Sequence, residues 1–309
     1  MTFFGRPTGR CSNGRLIIDF IAEALGLPFL PPFLAQNRRF VHGANFAVAG
    51  ATALDASFFE QRGLAGHMYT NYSLNVQLRW FEQLLPSLCH STEECRSYFS
   101  KSLFFVGEIG GDDYNVPMTA GLSFEEIGTQ VPFVIQAISN ATERLINHGA
   151  VNLVVPGNPP SGCFAQTLTI AGSPNKEDYE AGTGCLKKAN GLVKHHDGLL
   201  RQEVAKLRSK HPHVKISYAD FYQPIIQFVQ SPNSYGFKDD PLRACCGAGG
   251  PYNFNSEVNC GQRGSSVCVD PSSSMDWDGI HLTEAAYRQI AQLWLNGSYA
   301  DPPIMNLRN

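Results

Sequence analysis

Apolar and polar positions alternate along this chain with the periods of helices and of buried strands. One apolar face of Leu16, Ile17, Phe20, Ile21, Ala24 and Leu25 predicts a first helix, capped by Ser12 or Asn13 and stopped at Gly26. Asn45 to Ala49 reads as a short strand ending at Gly50. Leu74 to Leu85 reads as a helix with Leu74, Leu78, Phe81 and Leu85 on one side. The unbroken apolar run Leu103 to Val106, halted by Gly107, suits a buried parallel strand. A long helix is predicted from Thr129 to His148, with Pro132 in its first turn and Gly149 after its end. Val151 to Val155 is the next strand, broken by Pro156-Gly157-Asn158-Pro159-Pro160. Helix from Cys185 to Lys210, strand from Val214 to Tyr218, helix around Pro224 to Val229 and helix from Thr283 to Leu295 complete the pattern. Such alternation implies an α/β fold, a parallel sheet with helices on both faces. No repeat, low-complexity tract or linker divides the sequence, so one domain over residues 1–309 is expected.

Composition narrows the partners. A net charge of -3 offers no basic surface for nucleic acid or anionic membrane. The best apolar run, Leu16 to Leu34, carries Asp19, Glu23 and three prolines, which excludes a membrane span there. The segment Met1 to Pro7 lacks the basic start and apolar stretch of a signal peptide.

The nine cysteines point towards an oxidising compartment. Cys89 and Cys95 flank a short polar loop, as a local disulfide would, and Cys245, Cys246, Cys260 and Cys268 sit in a loop-rich stretch that needs staples. Zinc is the competing reading of those four, but the paired short spacings of zinc sites are absent. Sequons at Asn71, Asn140 and Asn296 favour the same secretory context. A secreted-type body without a leader leads to the expectation that the N-terminus is incomplete. Cys11 is the expected odd thiol.

The chemistry is concentrated near the C-terminus, in Asp276-Trp277-Asp278-Gly279-Ile280-His281. An Asp three residues before a His can accept from one ring nitrogen while the other faces a nucleophile, which is the orienter and base of a Ser-His-Asp triad. In parallel sheets, sites gather at the C-terminal ends of strands. Three such ends are glycine-rich: Ala49-Gly50-Ala51, Gly107 to Tyr114, and Pro156-Gly157-Asn158. Neither dinucleotide nor P-loop spacing occurs in them. His195-His196, between Lys194 and Asp197, reads as a solvated helix face, and Phe58, Phe59, Trp80 and Phe81 as core or lid.

With these blocks assembled, the chain resembles a plant GDSL esterase/lipase, a branch of the SGNH hydrolases. The resemblance spans essentially the whole chain. It rests on Phe4 to Arg15, Asn45 to Ala51, Gly107 to Tyr114, Val155 to Asn158 and Trp277 to Thr283, in the family's order. It implies a three-layer α/β/α sandwich and the hydrolysis of ester-linked acyl groups, on small-molecule or polymer-linked substrates, by a secreted and monomeric glycoprotein. It implies no metal or cofactor. It assigns His281 as general base, Asp278 as its orienting acid and Gly50 as a backbone donor of the oxyanion hole. The family's Gly-x-Asn-Asp block falls on Gly110-Gly111-Asp112-Asp113.

Two departures accompany it. The Gly-Asp-Ser block that supplies the nucleophile is expected upstream of Met1, together with the first strand of the sheet. No Gly-x-Ser-x-Gly elbow replaces it, and Ser12 belongs to a downstream block. The second departure is Asp112, where the family has Asn. An ionised carboxylate only accepts hydrogen bonds, so it repels a developing oxyanion. Loss of one such donor costs on the order of 10²–10³ in rate. An inactive, truncated relative that binds esters without turning them over is therefore the alternative expectation.

Overall fold

The computed structural model describes residues 3–35 and 39–308; Met1 and Thr2, which begin the N-terminal segment read as lacking a signal peptide, lie outside them. In chain order the helices are α1 (Ile17–Ala24), α2 (Ala56–Glu60), α3 (Leu74–Leu88), α4 (Thr92–Phe99), α5 (Gly111–Thr119), α6 (Phe124–Gly128), α7 (Val131–Asn147), α8 (Ala165–Ile170), α9 (Lys187–Lys210), α10 (Tyr222–Gln230) and α11 (Glu284–Leu295). The strands are β1 (Leu103–Phe105), β2 (Asn152–Pro156), β3 (Lys215–Ala219), β4 (Cys246–Gly247), β5 (Ser266–Val267) and β6 (Ala300–Asp301). No helix among the described residues is long and apolar enough to cross a membrane.

The chain forms two compact units, each discontinuous in sequence. The first comprises residues through Phe29, Pro159–Val193 and Phe221–Leu293; the second comprises Leu30–Asn158, Lys194–Asp220 and the residues from Trp294 onward.

The second unit holds the main sheet, in the order β1-β2-β3-β6. The first two pairings are parallel, with Phe104 opposite Leu153 and Leu153 opposite Ile216; β6 runs antiparallel to β3. Every residue of β2 is buried, which is why it reads as a continuous apolar run rather than as alternation. Helix α7 buries Val131, Val134, Ile135, Ile138, Leu145 and Ile146, which recur at helical spacing along one face. A mixed α/β architecture with a mainly parallel sheet is the expected class, and it is consistent with the SGNH-hydrolase α/β/α fold.

One predicted strand does not form. Between Asn45 and Ala49 only Asn45 makes a bridge, to Pro32. The Asn45 side chain accepts the Ala47 N–H at 2.9 Å, a local Asx turn that takes that donor away from any ladder.

The first unit is loop-rich and stapled by Cys163–Cys185, Cys245–Cys268 and Cys246–Cys260. The last two join the β4–β5 ribbon to the loops around it, so the four clustered cysteines are disulfides and not zinc ligands. Cys89–Cys95 links the end of α3 to α4 in the second unit, and Cys11 is a free thiol.

Candidate active site

In the first unit, the chain from Met275 to Thr283 forms a closed loop. Thr283 N–H donates to the Met275 carbonyl at 2.9 Å, and Trp277 N–H to the His281 carbonyl at 2.7 Å. The disulfide ribbon braces it from outside, Cys245 N–H donating to the Asp276 carbonyl at 3.1 Å and Cys246 N–H to that of Trp277 at 2.6 Å. Within the loop, Asp278 Oδ1 accepts the backbone N–H groups of Ile280 and His281 at 3.1 and 2.8 Å. Asp278 Oδ2 then lies 2.9 Å from His281 Nδ1. A carboxylate can only accept, so it assigns the Nδ1 proton and puts the lone pair of the neutral ring on Nε2. The His281 side chain is 33% exposed and that of Asp278 18%, open enough to meet a substrate and enclosed enough to hold one geometry.

Asp276 is fully buried and accepts from the N–H groups of Gly279 at 2.6 Å and Ala165 at 3.4 Å. Burial, with the Asp278 charge added, pushes its carboxyl up to about 7. Gly279, at φ +96°, is the corner of this loop; its carbonyl accepts from Gln166 N–H at 2.9 Å. The pair therefore sits in a braced turn just ahead of α11.

The assignment of Ser12 or Asn13 as cap of the first helix is overturned. Asp19 accepts the Leu16 N–H at the start of α1 (2.9 Å), whereas Asn13 Oδ1 accepts the Glu284 N–H at the start of α11 (2.7 Å). Ser12 Oγ donates to the Leu282 carbonyl at 2.9 Å. In sequence, a capping residue is recognised by the helix that begins immediately after it, and α11 lies some 270 residues away. These contacts anchor the Arg10–Arg15 segment to the His281 loop. Burial and the Asp278 charge hold the Cys11 thiol above its ordinary range.

The second unit carries Gly50 and Asp112. Gly50 has φ +80°, in a turn closed by Ala51 N–H donating to the Val48 carbonyl at 3.1 Å. A Cβ on Gly50 would come within 2.4 Å of Tyr69 Cβ, so glycine is required there for space as well as for conformation. After β1, Gly107 and Gly110 turn at φ +89° and +114°, and α5 begins at Gly111. Asp112 is half-buried in its first turn, where Asn115 Nδ2 donates to it at 3.3 Å.

Asp113 is the fully buried carboxylate of that block. It accepts the N–H groups of Ala53 and Leu54 at 2.7 and 3.0 Å, and burial raises it to about 7. It thereby ties the segment following Gly50 to the segment containing Asp112.

His196 corrects another expectation. It is buried, not solvated: Tyr114 Oη lies 2.7 Å from its Nδ1, and burial lowers its pKa to about 3. Next to it, Asp197 Oδ1 accepts the Asn158 N–H at 2.8 Å and burial pushes that carboxyl up to about 7. The Asn158 side-chain carboxamide and His196 Nε2 are buried without a hydrogen-bond partner among the described residues. Glycine at 157 and 110 permits this packing. A Cβ on Gly157 would meet Tyr218 Oη at 2.2 Å, and one on Gly110 would meet His196 Cε1 at 3.1 Å. Sequence analysis named Asp113 and Asp276 only inside their motif blocks and read His195-His196 beside Asp197 as a solvated face, so the burial of Asp113, His196, Asp197 and Asp276 escaped it. The nearest signal was glycine density beside them.

Of the residues singled out from the sequence, the structure thus brings Asp278 and His281 together in the first unit. It links the segments of Gly50 and Asp112 through Asp113 in the second.

Comparison with known proteins places this geometry in context. Residues 2–294 match the family model described as GDSL-like lipase/acylhydrolase. A GDSL esterase/lipase of Arabidopsis thaliana is 52% identical over 307 residues, covering 97% of this chain and 82% of its own length. A second one from the same plant is 48% identical over 303 residues, covering 98% of this chain and 77% of its own. The sinapine esterase of Brassica napus is 49% identical over 303 residues, covering 97% and 78%.

Proposed function

The chain belongs to the GDSL-like lipase/acylhydrolase family, and on that premise we propose that it serves carboxylic ester hydrolysis through a Ser-His-Asp triad whose serine lies outside these 309 residues. The observation that carries the reading is the 2.9 Å contact between His281 Nδ1 and Asp278 Oδ2. In the proposed reaction the serine hydroxyl attacks the ester carbonyl carbon while His281 Nε2 takes its proton. Asp278 stabilises the imidazolium so formed. The carbonyl oxygen, now an oxyanion, accepts from the Gly50 N–H. Collapse of this tetrahedral intermediate breaks the ester bond and expels the alcohol, which leaves with the proton from His281. Water then repeats the cycle on the acyl-enzyme.

The name of the Brassica napus relative supports a small-molecule ester as substrate. Four disulfides, and sequons at Asn71, Asn140 and Asn296 that are all exposed, support a secreted glycoprotein.

The test is p-nitrophenyl acetate hydrolysis by a form of the protein that carries the serine. His281→Ala should lower kcat by about 10³-fold or more; equal rates with and without the imidazole would overturn the reading. One observation favours a second reading for the chain as written: Asp112 presents a carboxylate where the family has an amide donor. On that reading the 309-residue protein binds acyl esters without turnover, and His281-dependent turnover by it would refute this.

A further inference from the structure

The segment just after Gly50 is held from outside by the carboxylate of Asp113. Its two oxygens take consecutive N–H groups, those of Ala53 and Leu54, at 2.7 and 3.0 Å, and the side chain is wholly buried. The segment Gly50-Ala51-Thr52-Ala53-Leu54 contains no titratable side chain, and its one hydroxyl, that of Thr52, donates to the Leu54 carbonyl at 2.7 Å, so backbone N–H groups are what it offers. Behind Asp113, the next residue of α5 is fastened by the Tyr114 hydroxyl to His196 on α9, at 2.7 Å. Asp112 and Tyr114 are titratable groups that feel this carboxyl, and the uncharged His196 lies beyond Tyr114. Desolvation raises Asp113 towards neutrality, and Asp112 adds to the effect. A buried carboxylate is costly to retain unless its acceptors are used, and here both oxygens are spent on one short segment.

We propose that Asp113 is a positioning residue, a two-pronged clamp that sets where the Gly50 N–H points by holding Ala53 and Leu54 against the start of α5. The proposal rests on the reading of Gly50 as an oxyanion donor and deepens it. A backbone donor on a φ +80° turn has no side chain to steer it, so its direction is inherited from the next anchored peptides. Donors aimed at an oxyanion act only as charge develops, so a loosened clamp lowers kcat and leaves KM nearly unchanged.

Asp113→Asn tests this. The amide keeps the volume and one acceptor, but turns an NH₂ group towards the second N–H. Hydrogen exchange on the 309-residue protein should show the Ala53 and Leu54 amides exchanging about 10-fold faster, with Val106 N–H, bonded to the Val154 carbonyl at 3.0 Å, unchanged. In the form that carries the serine, kcat should fall on the order of 10- to 100-fold with KM within about twofold. Asp113→Glu restores both acceptors and should recover part of each loss. It also supplies the kinetic arm if Asp113→Asn does not fold; the unaltered protein then supplies the exchange arm, where unprotected Ala53 and Leu54 amides would overturn the clamp. An unchanged kcat with loosened amides overturns the proposal. So does a loss of kcat and KM together that simply tracks Tm. Absence of any His281-dependent turnover in the unaltered enzyme would instead refute the functional reading, while the exchange arm still reports on the clamp.

Discussion

Gly279→Ala is the substitution that best tests why the Asp278–His281 loop closes as it does. The structure assigns it two costs. Alanine at φ +96° sits in a region that L side chains resist, worth about 1–2 kcal/mol. Its Cβ would also lie 2.3 Å from Phe254 Cδ2, a ring 9% exposed that packs with Ala165 and Ala244. Overpacking of this kind costs about 1–3 kcal/mol. The sum is about 2–5 kcal/mol. A chain of 309 residues has an unfolding entropy of about 0.65 kcal/mol/K, so Tm should fall by about 3–8 °C. Gly182→Ala is the control: φ is +87°, but nothing lies within 4 Å of the added methyl, so only the backbone cost of about 2–3 °C applies. Thermal melts followed by far-UV circular dichroism give both numbers. Adding Phe254→Ala to Gly279→Ala should recover the steric part, making the pair less destabilising than the two single changes summed by about 1–3 kcal/mol. Equal Tm shifts for the two glycines, together with additivity in the cycle, would refute the steric argument.

Three further outcomes are expected. Asp113, Asp197 and Asp276 are each raised from 3.8 to about 7, so the folded chain binds more protons than the unfolded chain between about pH 4 and 7. Stability should fall as pH rises through that window; His196, lowered from 6.5 to about 3, opposes this below pH 6.5 with one group against three. Melts at pH 5.5 and 7.5 should show the higher Tm at pH 5.5, and a flat or rising profile would contradict the burial argument. In a form carrying the serine, Asp112→Asn should raise kcat by up to about 10²–10³-fold on p-nitrophenyl acetate, and no gain would remove Asp112 from the oxyanion side. Replacing Cys246 and Cys260 by serine should cost about 3 kcal/mol in denaturant unfolding, because the bridge closes a 14-residue separation and Cys246 N–H braces the Trp277 carbonyl. A change below about 1 kcal/mol would show that the ribbon holds its shape without that bridge.

Local pattern was enough for much of the architecture. The run Leu103 to Val106 and the run Val151 to Val155 became β1 and β2 within a residue or two; β2 is buried throughout, as its apolar run requires, whereas β1, expected to be buried, is half-buried along its length. Helix α7 was readable from its period and from Pro132. The Asp278–His281 contact was legible because its partners stand only three positions apart in the chain. The sequence could not reveal partners that meet across long chain separations. Asn13 caps a helix about 270 residues away, Asp113 binds a segment about 60 residues before it, and His196 binds a tyrosine 82 residues before it. Each is polar, and in sequence a polar residue reads as surface. Only folding decides whether a donor waits for it in the interior, and the cost of burying it alone is why one usually does.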